Sequence, residues 1–118
     1  MEENRQNTRY KEIGHFLAQK LCLLPGVLDD VSLEGCKIHY QFPVDVEVDS
    51  ESEAQLSPSQ YPAELPLKLI CKTQWVKKSD EMTYIGFKIL YSPDRKRLAD
   101  FIQQLQSKNQ DELTEIIN

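Results

Sequence analysis

The sequence predicts a mostly-β protein, a six-stranded antiparallel β-barrel followed by one or two α-helices. Three observations support this fold class. Apolar and polar residues alternate through several short segments, turn residues separate those segments, and a helical apolar pattern follows the last of them. Because strands with one apolar face must bury that face, we expect them to form a small barrel with a helix beside it.

The first three strands are predicted from alternation and turn residues. Residues 13–21 alternate imperfectly with a period of two, which favours a strand over a helix. Pro25-Gly26 marks a turn, and a second strand is expected over residues 27–31. A third strand is expected over residues 35–40, so the residues between these two strands form a hairpin turn.

The middle of the chain predicts one strand and one loop. Val44, Val46 and Val48 alternate with acidic residues, which predicts a strand with one core face and one acidic face. Residues 50–66 are rich in Ser, Glu, Gln and Pro, and their prolines exclude a continuous helix or a central strand. We therefore expect an exposed loop over residues 50–66.

A second hairpin completes the predicted barrel. Alternation recurs over residues 67–75 and 82–91, on either side of a polar turn at 77–81. The chain is therefore divided into a basic, flexible arm at residues 1–12, a barrel at 13–91 and a helical segment at 92–118.

The helical segment begins with a recognisable start signal. Ser92-Pro93-Asp94 supplies a hydroxyl cap, a proline for the first helical position and an acid for the first turn. An apolar stripe follows at helical spacing and is expected to pack on the same domain, formed by Leu98, Phe101, Ile102 and Leu105. Asn109 is predicted to cap a last short helix, which either docks on the barrel or helps the chain to dimerise.

Composition limits the classes of partner. The 118 residues suit one domain, and a net charge of −5 opposes general attraction to nucleic acid or anionic lipid. The three cysteines are widely spaced and show no metal-ligand pattern, so we expect reduced thiols, no metal and a cytoplasmic protein. The polar N-terminus and the lack of a long apolar stretch predict no export and no membrane insertion.

Two short motifs form the candidate binding site. Arg5 and Arg9 lie in the basic arm, and their guanidinium groups can bind phosphate oxygens or the O6/N7 edge of guanine. In the predicted hairpin, the Asp30 carboxylate can accept from the guanine N–H groups, and the Ser32 hydroxyl can occupy a neighbouring position. Gly35 is expected to need either a positive φ or a backbone without Cβ. The combination predicts a site for a guanine nucleotide with two phosphates.

The chain resembles the PilZ domain family, small β-barrels that bind cyclic di-GMP. The R-x-x-x-R and D-x-S-x-x-G motifs carry the resemblance, and their order and spacing strengthen it. Three further segments extend it over nearly the whole chain: Thr73-Gln74-Trp75-Val76, Tyr84-Ile85-Gly86-Phe87 and Ser92-Pro93-Asp94-Arg95.

The resemblance also implies roles for individual residues. It assigns Arg5 and Arg9 to the phosphates and guanine, and Asp30, Ser32 and Gly35 to the barrel surface under a guanine. Many members have a further arginine before the first one of the motif, where this chain has Asn4. Trp75 either stacks on a guanine or belongs to the core.

The resemblance implies a cyclic di-GMP receptor that orders its N-terminal arm and signals through an unidentified protein partner, in motility or virulence-type regulation. We expect a monomer or weak dimer without a cofactor. The main alternative is a protein-interaction scaffold with weak or no nucleotide binding. An enzyme is disfavoured because no catalytic motif is present, and a nucleic-acid-binding barrel is disfavoured by the acidic charge.

Overall fold

Six antiparallel strands close into a barrel, and one helix follows them. The computed structural model describes residues 13–59 and 65–117, the last ten of these by their backbone alone. The strands are β1 (Gly14–Leu17), β2 (Gly26–Val31), β3 (Gly35–Tyr40), β4 (Glu51–Pro58), β5 (Leu67–Ser79) and β6 (Met82–Tyr91), and the helix α1 is Arg95–Ile117. Around the barrel the order is β1-β2-β3-β6-β5-β4. The predicted fold class is confirmed.

Alternate residues of the strands fill the barrel interior. The rings of Phe16 and Phe87 stack at its centre with centroids 4.9 Å apart. Aliphatic side chains from the other strands surround this pair and are almost fully buried, among them Leu28, Ile38, Leu56, Leu67, Leu69 and Ile85. The opposite side chains of the same strands therefore point to solvent and form the outer face of the barrel.

The predicted fourth strand is wrong in position. Residues 44–48 are irregular, and the fourth strand is β4, inside the segment predicted to be a loop. The inward residues of β4 are small or polar at first, Ser52 and Ala54, so the core face has a weak hydrophobic signal. Pro58 is the last residue of β4, where a missing N–H interrupts little of the ladder.

Other strand boundaries also differ from the predictions. β1 ends at Leu17, four residues before the predicted end, because a turn begins at Gln19. β5 continues to Ser79, so the second hairpin turns at Asp80, which adopts a φ of 57°. The hairpin predicted between β2 and β3 is confirmed.

The helix begins at Arg95, two residues later than the predicted first helical position at Pro93, and is continuous. Ser92 and Asp94 tie the helix start to β5: the Ser92 hydroxyl donates to the Lys68 carbonyl (2.6 Å), and the Asp94 carboxylate accepts from the Lys68 N–H (2.9 Å). The Asp94 carbonyl accepts the first helical hydrogen bond, from Leu98. The predicted break before Asn109 is wrong, since α1 runs through it. The expected packing of the apolar stripe is confirmed, with Leu98 and Phe101 buried.

Candidate nucleotide-binding face

The turn between β2 and β3 is built around the Ser32 side chain. Its hydroxyl oxygen accepts from the backbone N–H groups of Glu34 and Gly35, both at 3.2 Å. The Ser32 N–H in turn donates to the Gly35 carbonyl at 2.8 Å. These bonds close the turn locally, as Ser side chains do where the backbone reverses. The structure thus gives Ser32 a role in shaping the turn that presents Asp30.

Gly35 is needed for close approach of two strands. No described glycine has a positive φ, so the first of the two expected reasons for Gly35 is wrong. A Cβ on Gly35 would lie 2.6 Å from the carbonyl oxygen of Phe87 on β6, closer than real Cβ contacts. The second reason, a backbone without Cβ, is confirmed.

Asp30 starts a row of residues that crosses four strands on the outer face. Asp30 pairs in register with Lys37 on β3, Lys37 with Gly86 on β6, and Gly86 with Trp75 on β5. We call these four residues the tryptophan row. Three strand spacings make it about 14 Å long. One Asp30 oxygen accepts from the Val31 N–H at 2.9 Å, and its other oxygen has no partner among the described residues.

Trp75 lies on the surface and covers Gly86. Its side chain is 42% exposed, whereas Gly86 is buried although it belongs to the outer face. The indole Nε1 and Cε2 occupy the space that a Cβ of Gly86 would need. Trp75 is therefore not a core residue, and its stacking on a base stays a prediction.

A second row, which we call the lysine row, lies next to the first. Gly35 on β3 pairs with Lys88 on β6, which pairs with Lys72 on β5. Lys37 and Lys77 add two more cations on the same outer face. The sequence analysis did not include these lysines among the candidate site residues. They nevertheless occupy the polar positions of strands that alternation had predicted.

An acid–histidine pair borders the tryptophan row on β2 and β3. His39 Nδ1 lies 2.9 Å from both Asp29 oxygens, and the His39 ring lies 5.7 Å from that of Tyr84. The Lys37 ammonium is also 5.7 Å from the Tyr84 ring centroid. A β-bulge between Leu28 and Asp30 makes these contacts possible, because Asp29 and Asp30 then both point outward.

Arg5, Arg9 and Asn4 lie outside the described residues. The direction of β1 nevertheless bears on where the arm begins. Because β1 and β2 are antiparallel and His15 pairs with Val27, β1 traced back towards Ile13 runs towards the Asp30 end of β2. Arg9 precedes Ile13 by four positions in the sequence, a separation over which the chain can span up to roughly 14 Å.

Burial favours the protonated forms of two thiols and one phenol in the core. Burial raises the pKa of the Cys71 thiol to about 12 and that of the Tyr40 hydroxyl to about 12, and it also raises the pKa of Cys36.

Within residues 13–59 and 65–107, no cluster of His, Cys, Asp and Glu could hold a metal ion. In the same part of the chain, no helix is both long and apolar enough to cross a bilayer.

The comparisons with known proteins support the fold. No protein-family model and no curated protein matches the sequence. Among solved structures, the chain is similar to the Bacillus subtilis inhibitor of motility, MotI/DgrA, with a TM-score of 0.63 and 8% sequence identity. The similarity covers 80% of this chain and 46% of that one, so this chain spans about half of its length. At such low identity the likeness concerns the fold alone, and function must be argued from the site.

Proposed function

We propose that the tryptophan row binds cyclic di-GMP and that the chain is a receptor module of the PilZ type. The observation that carries the proposal is the alignment of Asp30, Lys37, Gly86 and Trp75 across four neighbouring strands. This row combines a carboxylate, a cation and an exposed aromatic ring on one surface. A purine base with an attached phosphate needs these three kinds of group.

The carboxylate of Asp30 favours guanine over adenine. Guanine presents its ring N–H and exocyclic amine side by side, and both groups donate. A carboxylate accepts from both, and the Asp30 oxygen without a described partner is the one available for this contact. Adenine has an acceptor at the ring position, so its Watson–Crick edge would face the carboxylate with one repulsive contact.

The indole of Trp75 offers a surface for base stacking. Stacking of a base on an aromatic side chain contributes about 1 to 3 kcal/mol. Because the ring already lies against the sheet over Gly86, ligand binding should cost less side-chain entropy than for a ring that extends into solvent. The 14 Å length of the row, about three strand spacings, suits a flat dinucleotide.

Closure of the N-terminal arm completes the proposed site. Arg5 and Arg9 would each contribute a charge-assisted contact to phosphate or guanine, about 1 to 3 kcal/mol apiece. Ordering the arm costs about 1 to 2 kcal/mol for each residue fixed. We expect a net binding free energy of about −8 kcal/mol, which corresponds to micromolar affinity and suits a reversible signal receptor.

The proposed output is regulation of motility through a protein partner. The structurally similar Bacillus subtilis protein is an inhibitor of motility, which supports this process. Ordering of the arm on ligand binding would change the surface that the barrel presents, and a partner that contacts this surface would detect the change.

Calorimetric titration of the full chain with cyclic di-GMP, cyclic di-AMP and GTP tests the proposal. We expect heat and a raised melting temperature with cyclic di-GMP alone. The Arg9→Ala variant should lose measurable binding while its melting temperature without ligand is unchanged. Absence of heat with all three nucleotides would overturn the receptor proposal in favour of a protein-interaction scaffold.

A further inference from the structure

The lysine row places two cations directly opposite each other. Lys88 on β6 is the register partner of Lys72 on β5, and both belong to the outer face. Side chains opposite each other in an antiparallel pair have Cβ atoms about 4.5–5.5 Å apart, and like charges at such positions destabilise the sheet. An anion bound between the two ammonium groups would remove this repulsion.

The carboxylates of the chain neutralise this pair only in part. Lys72 lies 3.9 Å from Asp49, whose side chain is itself 76% exposed, and its register partner on β4 is Glu51, with which it forms no ion pair. Lys88 forms no ion pair with any residue in the described ranges, and its register partner on the other side, Gly35, has no side chain to cover it. In a chain with five more acidic than basic residues, an under-neutralised pair of cations is unexpected on composition alone.

The pair also lies at a suitable distance from the proposed base position. Lys88 and Gly86 are two residues apart on β6 and face the same side, which separates the two rows by about 7 Å. Lys72 and Lys88 therefore lie within reach of the sugar and phosphate of a base stacked on Trp75, at the scale of one nucleotide.

We propose that Lys72 and Lys88 form a phosphate subsite separate from the arginine arm. This inference rests on the proposed nucleotide binding and names the ligand class more closely: a dinucleotide with two phosphates, one held by the lysine pair and one by the arm. The two ammonium groups are mobile point charges and bind a phosphate without fixed bidentate geometry. A nucleotide with a single phosphate engages one of the two cation groups and binds more weakly.

Titration of charge-removing variants over a range of salt concentrations tests the subsite. We expect Lys88→Gln and Lys72→Gln each to weaken cyclic di-GMP binding about fivefold, within the range for charged hydrogen bonds partly exposed to water. Each variant should also make the slope of log affinity against log salt less steep, because one attraction between an ammonium group and a phosphate, which salt screens, is lost.

The control is Lys78→Gln, which removes a cation from the same strand. Lys78 is paired with Asp45 at 3.0 Å, away from the lysine row, so affinity and salt slope should stay unchanged.

The opposite change in affinity is expected from Asp49→Asn, which removes the carboxylate beside Lys72 and should tighten binding. Asp49 has a φ of 73°, a conformation that Asn also adopts readily, so this substitution introduces no strain.

The outcomes separate the two proposals. If the wild-type chain binds cyclic di-GMP and both lysine variants bind it with the same affinity and salt slope, the phosphate subsite is refuted and the receptor proposal stands. If the wild-type chain gives no heat, the receptor proposal fails and the subsite fails with it. Equal losses in Lys78→Gln and Lys88→Gln would also refute the subsite, since they would reflect net charge alone.

Discussion

The indole of Trp75 lies on the backbone of Gly86, its register partner across the β5–β6 ladder. The contact is so close that a Cβ at Gly86 would overlap the ring. The glycine therefore determines how flat the indole lies on the sheet. Trp75 is the only tryptophan of the chain, so its fluorescence reports on this contact without interference.

We predict that Gly86→Ala displaces the indole and leaves the barrel folded, because the atoms that clash belong to a side chain that can move into solvent. The emission maximum should shift to longer wavelength, and cyclic di-GMP should bind about tenfold more weakly through loss of stacking. Trp75→Ala is the matched variant, and the double variant should lose no more than either single one. Unchanged emission and affinity in Gly86→Ala would contradict this role.

Gly35→Ala is predicted to destabilise the barrel. Its Cβ would meet the Phe87 carbonyl oxygen at 2.6 Å, and this backbone atom can move only if β3 separates from β6. Overpacking of this kind costs about 1 to 3 kcal/mol. Gly26→Ala is the comparison, since its nearest contacts are at 3.2 Å and include movable side chains. Urea unfolding should give a larger loss for Gly35→Ala, and equal losses would argue against the close approach.

Asp30→Asn is predicted to reduce affinity for cyclic di-GMP and selectivity for guanine without loss of stability. The amide oxygen can still accept from the Val31 N–H, which keeps the local hydrogen bond. The amide nitrogen donates where the carboxylate accepted, so binding should weaken about 10- to 100-fold. Asp29→Asn provides the control, because Asp29 bonds to His39 instead. Similar affinity losses in both variants would indicate an effect of charge alone.

Stability is predicted to fall at alkaline pH. Burial raises the pKa of the Cys71 thiol from 9.0 to about 12 and also raises the pKa of Cys36. The unfolded chain therefore loses thiol protons from about pH 9, while the folded chain keeps them. The free energy of unfolding should be constant up to that pH and then decrease by about 1.4 kcal/mol per pH unit for each thiol.

Urea titrations at neutral pH and at about pH 10 measure this decrease. Cys71→Ala should remove the part of the decrease in unfolding free energy that is due to Cys71 and leave the part that is due to Cys36. A free energy of unfolding that does not change over this range would show that the thiols ionise as easily in the barrel as in water.

The sequence predicted the fold class because the alternation over 27–31, 35–40, 67–75 and 82–91 reports real core positions. The prediction of a strand at 44–48 was wrong because alternation of apolar and polar residues indicates that one side of a segment is buried. It does not indicate that the segment pairs with another strand. Val44 is buried and Val48 exposed, yet residues 44–48 are irregular and pair with no strand of the barrel. β4 was missed because its core face begins with Ser52 and Ala54, which carry little hydrophobic signal.

The geometry of the candidate site was predictable where a local motif defines it and not where distant strands meet. The hairpin that holds Asp30, Ser32 and Gly35 follows from turn chemistry over six residues. The neighbours Trp75 and Lys88 depend on the register of β5 with β6, which a bulge between Thr73 and Trp75 shifts by one residue. A bulge of this kind exchanges the faces of the residues beyond it, and no residue pattern marked its position.

A buried threonine on β6 helps to hold the irregular segment at 44–48 in place, which gives a last prediction. Thr83 is fully buried, and its hydroxyl accepts from the Val44 N–H and donates to the Phe42 carbonyl, both at 3.0 Å. Thr83→Val keeps the shape but leaves these two backbone groups without partners, at about 1 to 3 kcal/mol for each. Thr83→Ser retains the hydroxyl and should lose much less. Urea unfolding of both variants measures the difference, and equal stability would mean that other groups satisfy the 42–44 backbone.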